Sequence, residues 1–149
     1  MKVLSLFDGI SCGMLALQRA GIPVECYDAF EIDKYAVTVS KRNFPVIVHH
    51  GNVYDGDFTQ FKGYDLLLGG SPCTYWSIAK KDREIDCNGE GFRLFKEYVR
   101  ALEESGCKYF LYENNYSVHQ NIKDEITRVL GVEPIMINSA LVSAQNRKR

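Results

Sequence analysis

Cys73 is the side chain best placed to do covalent chemistry, because of what precedes it. Leu66-Leu67-Leu68 reads as a fully buried strand, Gly69-Gly70 breaks it, and Pro72 fixes the turn before the thiol. Open α/β sheets place their chemistry in loops at the carboxyl ends of strands, where this thiol is delivered. Glu113-Asn114-Asn115 ends another apolar run, Lys108–Tyr112, and offers a carboxylate and two amides. Asp8–Gly13 is a glycine-bearing loop after the apolar run Lys2–Phe7, and Gly51-Asn52-Val53 follows Val46-Ile47-Val48. Glu31 ends the segment Val24–Glu31, roughly 20 residues after the first loop, where α/β folds place a carboxylate for ribose hydroxyls. Each feature has a bland alternative. A lone cysteine is more often a small core hydrophobe, and a strand-end glutamate is often only solvated.

The elements that must position these groups alternate. A helix is predicted over Met14–Ala20 with Gly21 as its cap, and another over Lys34–Asn43, capped by Asp33 and stopped by Phe44-Pro45. Tyr64–Leu68 is the fourth strand and Lys108–Tyr112 the fifth. Between them Phe92, Leu94-Phe95, Tyr98-Val99 and Leu102 recur at helical spacing, which predicts an amphipathic helix over Gly91–Ser105. The long loop from Thr74 to about Glu90 carries Trp76 and mixed charge, which suggests a functional or mobile segment with a mostly solvated surface. A weaker helix spans 120–130 and ends at Gly131; Ile135-Met136-Ile137 and Ala140-Leu141-Val142 read as extended. The fold class implied is α/β, a doubly wound, mostly parallel sheet with right-handed crossovers.

Composition bounds the function. The chain has 149 residues, enough for one domain with a real core, and its hydrophobic content of 46% is ordinary for a soluble globular protein. A formal net charge of −1 gives no global basic field, so nucleic-acid binding would need local clusters. The five cysteines show no CxxC spacing, which argues against a disulfide framework or structural zinc and for a reducing cytoplasm. No metal site is expected. No apolar run approaches the ~20 residues needed to cross a bilayer, so no membrane association is expected either. The dinucleotide fingerprint GxGxxG is absent, which weighs against a nicotinamide oxidoreductase.

Taken in order, these motifs resemble those of the cytosine-C5 DNA methyltransferases, over residues 3 to 149. Phe7-Asp8-Gly9-Ile10-Ser11-Cys12-Gly13 resembles the family's first cofactor motif, Glu31-Ile32 the second, and Gly51-Asn52-Val53 the third. The family usually has an aspartate where Asn52 stands, often a glycine where Ser11 stands, and a valine where Asn115 stands. Gly70-Ser71-Pro72-Cys73 resembles the Pro-Cys nucleophile motif, Glu113-Asn114-Asn115 the Glu-Asn-Val motif, and Gln145-Asn146-Arg147-Lys148-Arg149 the Gln-x-Arg-x-Arg motif. The forms around Ser71, Gly91–Phe95 and Pro134–Ser143 look closest to the de novo type.

The resemblance implies a Rossmann-like fold that binds S-adenosylmethionine through Phe7, Asp8, Gly9, Ile10, Ser11, Gly13, Glu31, Ile32, Asn52, Val53, Gly70 and Pro72. It implies Cys73 as the nucleophile that adds to C6 of a cytosine flipped out of DNA. Glu113 would act in protonated form near N3, its pKa raised by a closed cleft. Arg149 would hold O2, and Arg147 would position the cysteine loop and Glu113. Tyr75 and Trp76 would lie in the loop closing over the base. The family normally continues beyond the Gln-x-Arg-x-Arg motif into a target-recognition region. The chain is therefore expected to be one methyltransferase core, an amino-terminal portion that is either a truncated product or one half of a split enzyme whose second chain supplies the target-recognition region. Alternatives are a tRNA cytosine-C5 methyltransferase and a non-catalytic assembly partner.

Overall fold

A computed structural model describes residues 1–149. Five strands form one all-parallel sheet in the order β3-β2-β1-β4-β5. In chain order these are β1 (Lys2–Leu6), α1 (Cys12–Arg19), β2 (Cys26–Phe30), α2 (Lys34–Asn43), β3 (Val48–His49), β4 (Leu66–Gly69), α3 (Glu90–Ser105), β5 (Tyr109–Tyr112) and α4 (Gln120–Leu130). The expected α/β class, parallel sheet and four helices are all present. β1 lies at the centre, with Val3, Leu4 and Leu6 wholly buried, as a strand covered on both faces requires.

Local chemistry explains several boundaries. Asp33 caps α2 as expected, its carboxylate accepting from the N–H groups of Tyr35 and Ala36. Gly131 ends α4 at φ 69, a left-handed turn that favours glycine. Gly13 allows α1 to lie against the sheet: a Cβ there would stand 2.8 Å from Leu68 Cδ1 and 2.9 Å from the Tyr27 hydroxyl.

Two expectations need correction. The third strand is Val48–His49, shifted past Val46 and Ile47, and it pairs with Asp28 and Ala29 of β2. Residues 135–137 and 140–142 form no strand. Asn138 and Lys148 make a single antiparallel bridge, and Ser139–Leu141 is one tight helical turn capped by the Asn138 side chain. The chain divides into two compact units. Residues 1–70 and 100–112 form the first, which holds the sheet; residues 71–99 and 113–149 form the second.

Leu67 on β4 is fully buried in the first unit. Leu67→Ala should lower unfolding stability by about 2–5 kcal/mol in urea titrations, the usual cost of such a cavity. A loss well below that range would mean that β4 is not a core strand.

Candidate active site

The loop after β1 is the most constrained segment of the first unit. Phe7, Gly9 and Ser11 all have positive φ, at 57°, 60° and 64°. For Phe7 and Ser11 this region costs energy, so something must hold them there. Asp8 does so. Its Oδ1 accepts from the hydroxyls of Ser5 at 2.6 Å and Tyr27 at 2.7 Å, and its Oδ2 accepts from Ser11. Burial, reinforced by the Asp8 charge, pushes the Tyr27 phenol well above its usual range, so it remains a neutral donor. Ser11 is fully buried, so its hydroxyl anchors the loop rather than facing a ligand.

Glu31 fixes the other side of this loop. Its Oε2 accepts from the Gly9 N–H at 2.8 Å, and its Oε1 from the N–H groups of Ile32 and Asp33, each at 2.8 Å. A carboxylate oxygen has two acceptor sites, so Oε2 retains one for an incoming hydroxyl. Ile32 is 75% exposed, an apolar side chain left open beside that carboxylate, and Ile10 is half exposed. Ser11 makes no side-chain cap at α1, whose first N–H groups are thus open to an anion. Asn52 is exposed and caps the turn Val53–Asp55 through its Oδ1, which accepts from the Tyr54 N–H. The Val53 side chain is buried, and its carbonyl accepts from Arg100 Nη2. A free hydroxyl acceptor, an open helix start and exposed apolar side chains fit a ligand with ribose, carboxylate and an aromatic ring.

Gly70 ends the first unit, and the second begins at Ser71. Pro72 precedes a single helical turn, Cys73–Tyr75, and the Cys73 thiol is half-buried and free. Asn114 ties this turn to the segment after β5, donating from Nδ2 to the Ser71 carbonyl at 2.9 Å. Ser71, two positions before the thiol, is thus bonded to the neighbour of Glu113. Glu113 Oε1 pairs with Arg149 Nε at 2.6 Å. Arg149 is itself held by paired backbone bonds with Ile137, at 2.8 and 2.9 Å.

This geometry alters the expected roles. Glu113 is 54% exposed. Its partner is Arg149, not Arg147, which is exposed and bonds through its backbone N–H to Asn138. Trp76 is wholly buried, donating from its indole N–H to Glu84, which also accepts from the Gly91 N–H at the start of α3. Trp76 is therefore core of the second unit rather than a closing aromatic. Its neighbour Tyr75 is half-buried beneath Lys80. No group of three or more His, Cys, Asp or Glu side chains could hold a metal ion. No helix is long and apolar enough to cross a membrane.

Known proteins resemble this chain in sequence and in fold. A family model described as C-5 cytosine-specific DNA methylase matches residues 1–131. The orphan methyltransferase M.SPRI of Bacillus phage SPR is 32% identical over the whole chain, which covers 36% of that protein. M.Rho11sI of Bacillus phage rho11s is 36% identical over 76% of the chain, and M.HgiCII of Herpetosiphon aurantiacus 34% over the same share; 23% and 25% of those proteins are covered. The chain thus spans about a third or less of the curated relatives it matches. The fold matches that of the S. pombe Dnmt2 methyltransferase with a TM-score of 0.72 at 17% identity, covering the whole chain and 47% of that structure.

As the chain's single tryptophan, Trp76 reports on the second unit. Trp76→Ala should destabilise that unit by about 3–5 kcal/mol, read by circular dichroism melting. An unchanged melt would return Trp76 to the surface and to the base-closing role.

Proposed function

This chain belongs to the C-5 cytosine-specific DNA methylase family, and from that premise we propose that it forms the cofactor and nucleophile portion of a DNA cytosine-C5 methyltransferase. The observation that carries the reading is the arrangement after β4 and β5: a half-buried free thiol at Cys73, tied through Asn114 and Ser71 to the segment bearing Glu113 and Arg149.

The residues of the first unit suit S-adenosylmethionine. Glu31 Oε2 would accept from a ribose hydroxyl, Ile32 would pack on the adenine, and the open start of α1 would receive the methionine carboxylate. When bound, that cofactor supplies an electrophilic methyl group.

The second unit supplies activation of the base. Cytosine C5 is a poor nucleophile until a group adds at C6, and a thiolate adds and leaves readily. A bond forms from Cys73 Sγ to C6, and the electron pair of the C5–C6 double bond is released toward C5 and the ring. Glu113 has Oε1 engaged by Arg149, which leaves Oε2 to accept from the exocyclic amine. The Arg149 guanidinium, fixed beside it, answers negative charge that develops on the ring. Once C5 has taken the methyl group that the cofactor would supply, loss of its proton to water returns the bonding pair to the C5–C6 double bond and expels the Cys73 thiolate. The base must leave the duplex first, at a cost of a few kcal/mol.

β5 is the outer strand of the sheet, and Tyr109 and Leu111 on one face of it are 52% and 58% exposed. An open apolar edge of that kind suits a further strand or helix.

Titration of S-adenosylmethionine into the chain by calorimetry tests this reading without DNA. Glu31→Ala should raise Kd at least about tenfold, the cost of losing a charged hydrogen-bond acceptor. Cys73→Ala should bind as tightly as the unaltered chain. Unchanged affinity in Glu31→Ala would remove Glu31 from the cradle, and lost affinity in Cys73→Ala would make the thiol structural.

A further inference from the structure

We propose that His49 is a positioning residue for the cofactor loop, acting on it through a one-way relay of buried hydroxyls that ends on Asp8. The proposal rests on reading that loop as the cofactor cradle. The relay runs from His49 at the end of β3 through Ser40 on α2 and Ser11 at the start of α1. It joins three elements that are separate in sequence.

Proton direction along the relay is fixed by what each group can do. The Asp8 carboxylate only accepts, so Ser11 spends its one hydroxyl proton on Asp8 Oδ2. The Ser11 and Ser40 oxygens are 2.5 Å apart in the fully buried interior. If Ser40 turned its proton elsewhere, two lone pairs would face each other there, so Ser40 donates to Ser11. Ser40 then has only a lone pair for His49 Nε2, 3.1 Å away. His49 Nε2 must therefore carry the hydrogen, and the neutral ring leaves Nδ1 bare.

The far side of the ring agrees with this. His49 Nδ1 is buried and has no hydrogen-bond partner. A bare lone pair in that position is tolerable, whereas a second N–H would be a buried donor with nothing to accept it. Burial is the largest influence on the imidazole and lowers its pKa from the usual 6.5; Lys41 and His50 push the same way, while Asp8 and Glu31 oppose. The unfolded chain thus takes up the proton more readily than the folded one. The stabilisation from neutral His49 is complete above about pH 6.5 and declines as pH falls toward the lower folded value.

The consequence is functional because Ser11 is the left-handed residue at the open start of α1. A relay that pins its side chain holds the α1 N–H groups and the Gly9–Glu31 contact in one arrangement before a ligand arrives. Preorganisation of this kind lowers the ordering cost of binding.

The test uses the full 149-residue chain and its Ser40→Ala, His49→Leu and His49→Gln variants. The glutamine amide can donate from the position of Nε2 but does not titrate. S-adenosylmethionine affinity is measured by calorimetry from about pH 5.5 to 8, spanning the ordinary histidine range, together with hydrogen exchange over residues 8–15. Ser40→Ala and His49→Leu should weaken binding about tenfold, as expected when a buried partner is lost, and should speed exchange in that segment. His49→Gln should restore most of the affinity and should remove the acid-side decline seen with histidine. Unaltered affinity and exchange in Ser40→Ala and His49→Leu, or a decline with acid that persists in His49→Gln, would overturn the proposal. If no form of the chain binds the cofactor, the cradle reading fails. Exchange then decides on the relay alone: faster exchange in the variants supports it, and unchanged exchange overturns it.

Discussion

A single carboxylate, that of Asp8, holds the left-handed loop after β1 in place. It collects hydroxyl donors from Ser5 on β1, Tyr27 on β2 and Ser11 at the start of α1. Through Ser11 and Ser40 it is linked to α2 and to His49 on β3. A carboxylate so placed needs donors to offset its loss of water, and the donors come from separate elements. The left-handed backbone of Phe7 and Ser11 is sustained by these bonds. Parallel pairing around β1 brings those elements to the carboxyl ends of the strands, where the Glu31 carboxylate fastens Gly9 from the neighbouring strand end.

The second unit uses a different device. A side-chain amide, that of Asn114, bonds the backbone ahead of Cys73, and an ion pair fastens Glu113 to Arg149. Two strand-following segments and the chain's final residues therefore meet in one cluster. Pairing with a guanidinium gives Glu113 a fixed orientation while one oxygen stays open. The long loop after Cys73 is likewise tied down: Glu84 gathers the Trp76 indole and the Gly91 amide, and Arg83 donates to the Ser117 carbonyl. Its charges are not merely a solvated surface.

Features that depend on near neighbours were legible in the sequence. The Leu66–Leu68 run, the Asp33 cap and the glycine at the end of α4 each follow from the residues beside them. The order of strand ends, and with it the placing of Cys73, Glu31 and Glu113 after strands, follows from their alternation with helices. Features set by distant partners were not legible. Trp76 looks like an exposed loop aromatic until Glu84 and Gly91 are seen to enclose it. The short third strand is positioned by the register of β2. Which arginine reaches Glu113 depends on how residues 137–149 pair with themselves. Ser11 reads as a departure from glycine, yet its hydroxyl is what holds the left-handed turn. His49 gives no local signal at all, since its link to Asp8 passes through two serines far apart in the chain.

Covalent capture tests the central claim most directly. Single-stranded DNA carrying 5-fluorocytosine removes the cost of opening a duplex, and fluorine cannot leave C5 as a proton does. The chain, incubated with this DNA and S-adenosylmethionine, should form a stable adduct whose mass maps to the peptide containing Cys73. The Cys73→Ala variant should form none. An adduct on another residue, or cofactor-loaded chain that forms no adduct, would contradict the assignment of Cys73 as the nucleophile.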